Sequence, residues 1–192
     1  MKRQRNRLIV GLDLDGVILD HTRAKITLAK KFGFSLQPEE TPSELIKNIL
    51  PHHTVRTMQH FLYNEPATTL RAEMFRGARA GLSQLKKAGV PLFLISRREN
   101  PELAIALLKK RSLWPSYFNA KNTSFVAEKE DKNKKAREFG ITIYLDDQPS
   151  VLEKLADVPT RILMDRFGVF NEYDGQYKRV ASWKEFLEQL GF

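Results

Sequence analysis

Three positions in this 192-residue chain place small polar or acidic side chains directly after an apolar run. Asp13-Leu14-Asp15-Gly16 follows Leu8, Ile9, Val10 and Leu12. Ser96-Arg97 follows the run at 91–95, and Asp146-Asp147 follows the run at 141–145. Carboxylates gathered at neighbouring strand ends repel one another. Two unit charges about 4 Å apart cost roughly 4 kcal/mol at an effective dielectric of about 20. A cluster of this kind calls for a cation. All-oxygen ligands with no histidine or cysteine beside them select a hard ion, magnesium foremost. Asp13 and Asp147 are the ligands to expect. Aspartate also forms turns and caps helices. That would account for one strand-end aspartate, but poorly for an acidic pair at each of two strand ends.

These residues need a scaffold that brings strand ends together. Residues 7–14 read as a buried strand, with Leu8, Ile9, Val10, Leu12 and Leu14 apolar and mostly branched. Residues 20–31 read as a helix closed by Gly33. The stretch 38–63 has helical periodicity, no strand-like run, and breaks at Pro51 and Pro66; it reads as a small helical insertion. Strands and helices alternate from Gly77 onward. Helices are expected at 78–88, 101–113, 131–139, 149–156 and 182–190, and strands at 91–96, 123–127, 141–145 and 161–164. Ser182 with Glu185 three residues later is a capping-box pattern. Alternation of this type predicts an α/β fold, a Rossmann-like parallel sheet with helices on both faces, plus a small helical cap insertion. In such sheets, sites form beyond the carboxyl ends of the strands. The division expected is a core of 1–20 and 76–192 with an insertion at 21–75.

Composition narrows the function classes. With 32 Lys and Arg against 23 Asp and Glu, the formal charge is +9, which favours an anionic partner or serves as a solubilising surface. There is no cysteine, so disulfides, thiolate catalysis and cysteine-bound zinc are excluded. No apolar run reaches membrane-spanning length. The basic stretch 1–7 leads into a run interrupted by Asp13 and Asp15, unlike a signal peptide. A cytoplasmic protein is the expectation.

Asp13-Leu14-Asp15-Gly16-Val17 resembles the first motif of the haloacid dehalogenase-like superfamily. Leu92 to Ser96 resembles the second, a lysine at the start of the charged helix the third, and Ile143-Tyr144-Leu145-Asp146-Asp147 the fourth. The resemblance implies a phosphatase in which Asp13 is the nucleophile and Asp15 the general acid and base. Both reach one site if the chain turns just after Asp13, which Gly16 permits. It also implies magnesium held by Asp13, the backbone carbonyl of Asp15, and Asp147, with Asp146 acting through water. Ser96 and the backbone of Arg97 would take phosphate oxygens. Lys129, Lys132, Lys134 and Lys135 all lie in the stretch for the motif lysine, and Lys132 fits the family's placement best. Gln148-Pro149-Ser150 departs from the longer fourth motif, which carries a further acid.

Leu145-Asp146-Asp147-Gln148-Pro149, Ile162 to Arg166 and Phe170-Asn171 are similar to the 5′(3′)-deoxyribonucleotidase-like group, which implies a nucleotide or another small phosphorylated metabolite as substrate. Insertion residues that could contact it are His21, Arg23, His52, His53, Arg56 and Arg71. Phe32, Phe34, Phe61 and Tyr63 could stack on a base or serve as core. Two other classes remain open. A receiver domain shares the acidic cluster, but is smaller and places its phosphorylated aspartate on a middle strand. A basic nucleic-acid-binding or nucleic-acid-end-processing protein would use the 1–7 stretch, Arg97-Arg98 and Lys109-Lys110-Arg111.

Overall fold

The structure, a computed structural model, describes residues 8–173 and 175–192. The basic stretch 1–7 and the first residue of the expected strand at 7–14 lie outside them. The chain opens with β1 (Val10–Leu12) and a short β2 (Leu19–Asp20). Four helices follow: α1 (Thr22–Lys31), α2 (Ser43–Ile49), α3 (His52–Tyr63) and α4 (Pro66–Thr69). Then come β3 (Glu73–Met74), α5 (Ala78–Lys87), β4 (Leu92–Arg97), α6 (Pro101–Lys110), β5 (Thr123–Val126) and α7 (Lys129–Glu138). The chain closes with β6 (Ile143–Asp146), α8 (Pro149–Leu152), β7 (Thr160–Met164), β8 (Lys178–Val180) and α9 (Trp183–Leu190).

Six strands form one parallel sheet in the order β5-β4-β1-β6-β7-β8. β1 lies inside it, with Val10 opposite Leu92 on one side and Ile143 on the other. Alternation along the strands assigns the two faces. Val10, Leu12, Leu94, Leu145, Ile162 and Met164 pack with Leu82, Leu85, Leu107, Trp183 and Phe186, so α5, α6 and α9 cover one face. Ile95, Tyr144 and Leu163 pack with Ala136, Val151 and Leu152, so α7 and α8 cover the other. Gly11 points to this second face, where an added Cβ would lie 2.5 Å from the Tyr144 ring. Only glycine lets β1 and β6 pack there.

The helices between β2 and β3 pack on a cluster of their own, formed by Leu28, Ala29, Leu36, Ile46, Leu50, Val55, Met58 and Leu62. Their entry and exit are tied by antiparallel pairing of Leu19 with Met74 and Asp20 with Glu73. Among the described residues the stretch 38–63 holds no strand, as its periodicity implies; the two strands of this ribbon lie outside it and were not expected. Two residues on each side are too short to show alternation. β8, also not expected, is a short edge strand in which only Val180 is buried.

Candidate active site

The site is built where β1, β4 and β6 end together. The amide of Asp13 donates to the Leu145 carbonyl at 3.0 Å, carrying the β1–β6 pairing one residue past the strand and fixing the Asp13 side chain. The chain then folds back on itself: the amides of Ile18 and Leu19 both donate to the Leu14 carbonyl, at 3.0 and 2.9 Å. Gly16 makes this turn with φ +83, and a Cβ there would overlap the Asp147 carboxylate. The turn therefore presses against the end of β6.

Lys132 reaches the cluster from the first turns of α7. It is 2 % exposed, and its Nζ donates to Asp13 Oδ1 and Asp146 Oδ2, both at 2.8 Å. The helix begins at Lys129, two residues earlier than expected, because Glu128 and Asp131 cap it reciprocally. Of the other lysines weighed, Lys129 donates to Ser150 Oγ at 2.5 Å and pairs with Glu44 of α2, Lys135 pairs with Glu138, and Lys134 is exposed. Asp146 also accepts the Gln148 amide at 3.0 Å, while Asp147 Oδ1 is buried with no hydrogen-bond partner among the described residues. Ser96 Oγ is likewise buried and without a partner, and the Arg97 side chain is exposed.

The electrostatics are those of a site short of positive charge. Burial pushes the Asp13 carboxyl up to about 7; Lys132 opposes the rise, and Asp146 and Asp15 add to it. Burial, then Asp146 and Asp13, hold the Asp147 carboxyl well above the usual carboxylate range. Burial works against the Lys132 charge, but Asp13 and Asp146 outweigh it and raise its pKa. Single ligand atoms from Asp13, Asp146 and Asp147 lie within 4.8 Å of one another. The all-oxygen donor set, the unpartnered Asp147 oxygen and the raised carboxyls together fit a divalent hard cation.

Asp15 has a different environment. Arg98 donates to it at two points, Nε to Oδ2 at 2.8 Å and Nη2 to Oδ1 at 2.7 Å, and His21 Nε2 lies 2.6 Å from Oδ1. Burial would raise its pKa, but Arg98 and then His21 outweigh burial and hold it well below the usual carboxylate range. Breaking a buried pair of this kind typically costs about 3–5 kcal/mol. The Tyr63 ring lies over the Arg98 guanidinium at 4.5 Å and meets the His21 ring edge-on at 5.6 Å.

The structure thus brings together Asp13, Asp15, Ser96, Asp146, Asp147 and Lys132, with the Arg97 backbone alongside. Among the insertion residues weighed, His21 is buried against Asp15, and Arg56 lines an adjoining cavity. Arg23 pairs with Glu73 at the surface, Arg71 is exposed, and His52 and His53 are exposed at the start of α3. Phe34 and Phe61 pack against the insertion's own core and Phe32 is partly exposed; Tyr63 is the one of the four that faces the site. Arg98 was legible only as half of a basic pair. Nothing in the sequence marks Lys25, which is buried in α1 and donates to the Thr41 carbonyl at 2.8 Å and to Ser43 Oγ at 3.2 Å, tying α1 to the start of α2.

A parallel sheet in this order, with acidic residues at its strand ends, defines the class as a haloacid dehalogenase-like fold. A HAD family hydrolase from Deinococcus radiodurans, solved with bound phosphate and sodium, superposes with a TM-score of 0.68 at 15% identity, covering 97% of this chain and 96% of that one. A predicted phosphatase from Clostridium acetobutylicum gives 0.64 at 18% identity, covering 96% and 98%. A HAD-superfamily hydrolase of subfamily IA from Geobacter sulfurreducens gives 0.59 at 18%, covering 99% of both chains. These likenesses establish the fold. The sequence matches no individual curated protein. It does match, over residues 7–190, the profile of the family described as 5′ nucleotidase, deoxy (pyrimidine), cytosolic type C protein (NT5C), and the chain belongs to that family of phosphatases. Among the described residues, no helix is long and apolar enough to cross a membrane.

Proposed function

We propose that the chain is a magnesium-dependent phosphomonoester hydrolase acting through an aspartyl phosphate on Asp13, with residues 21–75 serving as a cap over the site. The observation that supports this most is the buried Asp13–Lys132 pair flanked by two unpartnered buried oxygens, Asp147 Oδ1 and Ser96 Oγ. One faces a cation's place and the other an anion's. In the first step an Asp13 oxygen attacks phosphorus, the bond from phosphorus to the ester oxygen breaks, and that oxygen takes a proton from solvent relayed through Asp15, which is ionised at rest. In the second, water attacks the phosphorus of the aspartyl phosphate and Asp15 takes its proton. The bond to Asp13 then breaks and inorganic phosphate leaves. Lys132, Ser96 and the Arg97 backbone hold the phosphoryl oxygens through both steps. Magnesium, held by Asp13, Asp147 and the Asp15 carbonyl, with Asp146 through water, would supply the charge that offsets repulsion between carboxylate and phosphate.

The substrate we propose is a nucleotide or another small phosphorylated metabolite. Two things support it: the family's description, and a cavity of about 670 Å³ beside the site, lined by Arg56, His60, Tyr63, Arg97 and Phe125 among others. It shares Tyr63 and Arg97 with the space in front of Asp13. The test is phosphate release with magnesium across nucleoside monophosphates, sugar phosphates and 3′- or 5′-phosphorylated oligonucleotides, run beside Asp13→Asn. Turnover of mononucleotides that the variant loses while staying folded is the expected result. Inertness toward every phosphomonoester, with or without magnesium, would refute the proposal. Activity confined to oligonucleotides would move the substrate to nucleic-acid ends.

A further inference from the structure

Arg98 belongs to none of the motifs, yet it is 4 % exposed and makes a two-point contact with the residue on which both proton transfers depend. We propose that Arg98 is a positioning residue for Asp15, and that Tyr63 links the seating of the helical insertion to it. The inference rests on the reading of Asp15 as the proton-transfer group.

Three constraints converge on the Asp15 carboxylate. A guanidinium fork fixes both oxygens and therefore the plane of the group, which a single donor could not do. His21, immediately before α1, fixes Oδ1 from the opposite element. Tyr63, the last residue of α3, covers both partners, with its ring over Arg98 and edge-on to His21. The Arg98 guanidinium also donates to the Tyr63 carbonyl, at 3.4 Å. No other ion pair or hydrogen bond of the Arg98 side chain is present among the described residues. Its polar contacts are therefore confined to Asp15 and the end of α3. An α3 that shifts would move the ring and carbonyl that hold Arg98, and through it the orientation of Asp15.

The consequence is kinetic and separable from folding. An aryl phosphate leaves without help from an acid, so formation of the aspartyl phosphate tolerates a misplaced Asp15, whereas its hydrolysis needs Asp15 as base. With p-nitrophenyl phosphate, rapid mixing of Arg98→Gln should retain the burst of nitrophenolate while steady turnover falls, raising the ratio of burst rate to kcat at least ~10-fold over the wild type. Arg98→Lys keeps a charge in the buried site but loses the fork, so it tests the same point if the glutamine variant folds poorly; its ratio should also rise. Tyr63→Leu should move the ratio in the same direction by less. If burst and turnover fall by one common factor in both Arg98 variants, or neither changes, Arg98 does not act through Asp15 and the inference is overturned. Asp15→Asn separates the two claims. If it too fails to build up the burst, the reading of Asp15 fails; if it shows the burst and the Arg98 variants do not, only the role of Arg98 fails.

Discussion

Asp13→Asn should stabilise the metal-free protein, and by an amount that depends on pH. The Asp13 carboxyl is pushed up to about 7 in the folded chain, by burial first, whereas its ordinary value is 3.8. Between those two values the folded state holds a proton that the unfolded state has released. Stability therefore falls as pH rises through this window, and the full penalty is present above about pH 7. At about 1.4 kcal/mol per pKa unit, the displacement corresponds to roughly 4 kcal/mol. Asparagine has the shape of the protonated acid and no charge to desolvate. Its curve should meet the wild type near pH 4 and rise above it by about 2–4 kcal/mol at pH 8, less than the full amount because Lys132 loses one charged partner. Asp15 adds no slope in this window, since Arg98 and His21 keep it ionised there, as it is in the unfolded chain. Urea denaturation of both proteins in EDTA, from pH 4 to pH 8, measures the gap; a melting-temperature difference on the order of 10 °C at pH 8 is the equivalent thermal result. Magnesium should close the gap at pH 8 by stabilising the wild type alone. Parallel curves for the two proteins across the range would refute the claim that Asp13 is a buried carboxylate awaiting a cation.

Lys132→Met should strand Asp13 and Asp146 without their shared cation, destabilising the protein by about 3–5 kcal/mol and lowering turnover at least ~100-fold, while Lys134→Ala stays within about 0.5 kcal/mol of the wild type. Equal effects at the two lysines, by urea denaturation and phosphate release, would remove Lys132 from the site. Gly16→Ala combines a φ of +83 with a Cβ that overlaps the Asp147 carboxylate. It should abolish both turnover and the magnesium-dependent rise in melting temperature with the far-UV circular dichroism unchanged. A normal magnesium response in that variant would show that Asp147 is not a ligand.

Most of the sheet was legible because its strands are buried on both faces and so read as continuous apolar runs; β4 and β6 are examples. Legibility failed where an element is short or lies at an edge. β8 is three residues with one buried side chain, and the β2–β3 ribbon is two residues on each side. Boundaries failed where capping overrode periodicity, as at α7, where a glutamate outside the preferred cap types starts the helix. In the site, the acidic positions could be read from the strand ends, whereas Lys132 is favoured among four lysines only by the family resemblance, and its contact with Asp13 and Asp146 is visible only in the structure. Arg98 could not be read at all. Its partner lies 83 positions earlier in the chain, and nothing in Arg97-Arg98 distinguishes the side chain that turns inward from the one that faces solvent. Tyr63 has the same character, since a helix-terminal aromatic reads equally as core.

The interior place of β1 in the sheet bears on how the protein is made. The strand that leads into Asp13 is synthesised before both of its neighbours, β4, around Leu92, and β6, around Ile143. While it leaves the ribosome, an apolar strand with both edges unpaired must wait for about 130 more residues before its second edge is covered. Pairings so distant along the chain fold slowly. The helical insertion, whose core cluster is assembled from residues 24–63, can bury its own apolar surface in the meantime.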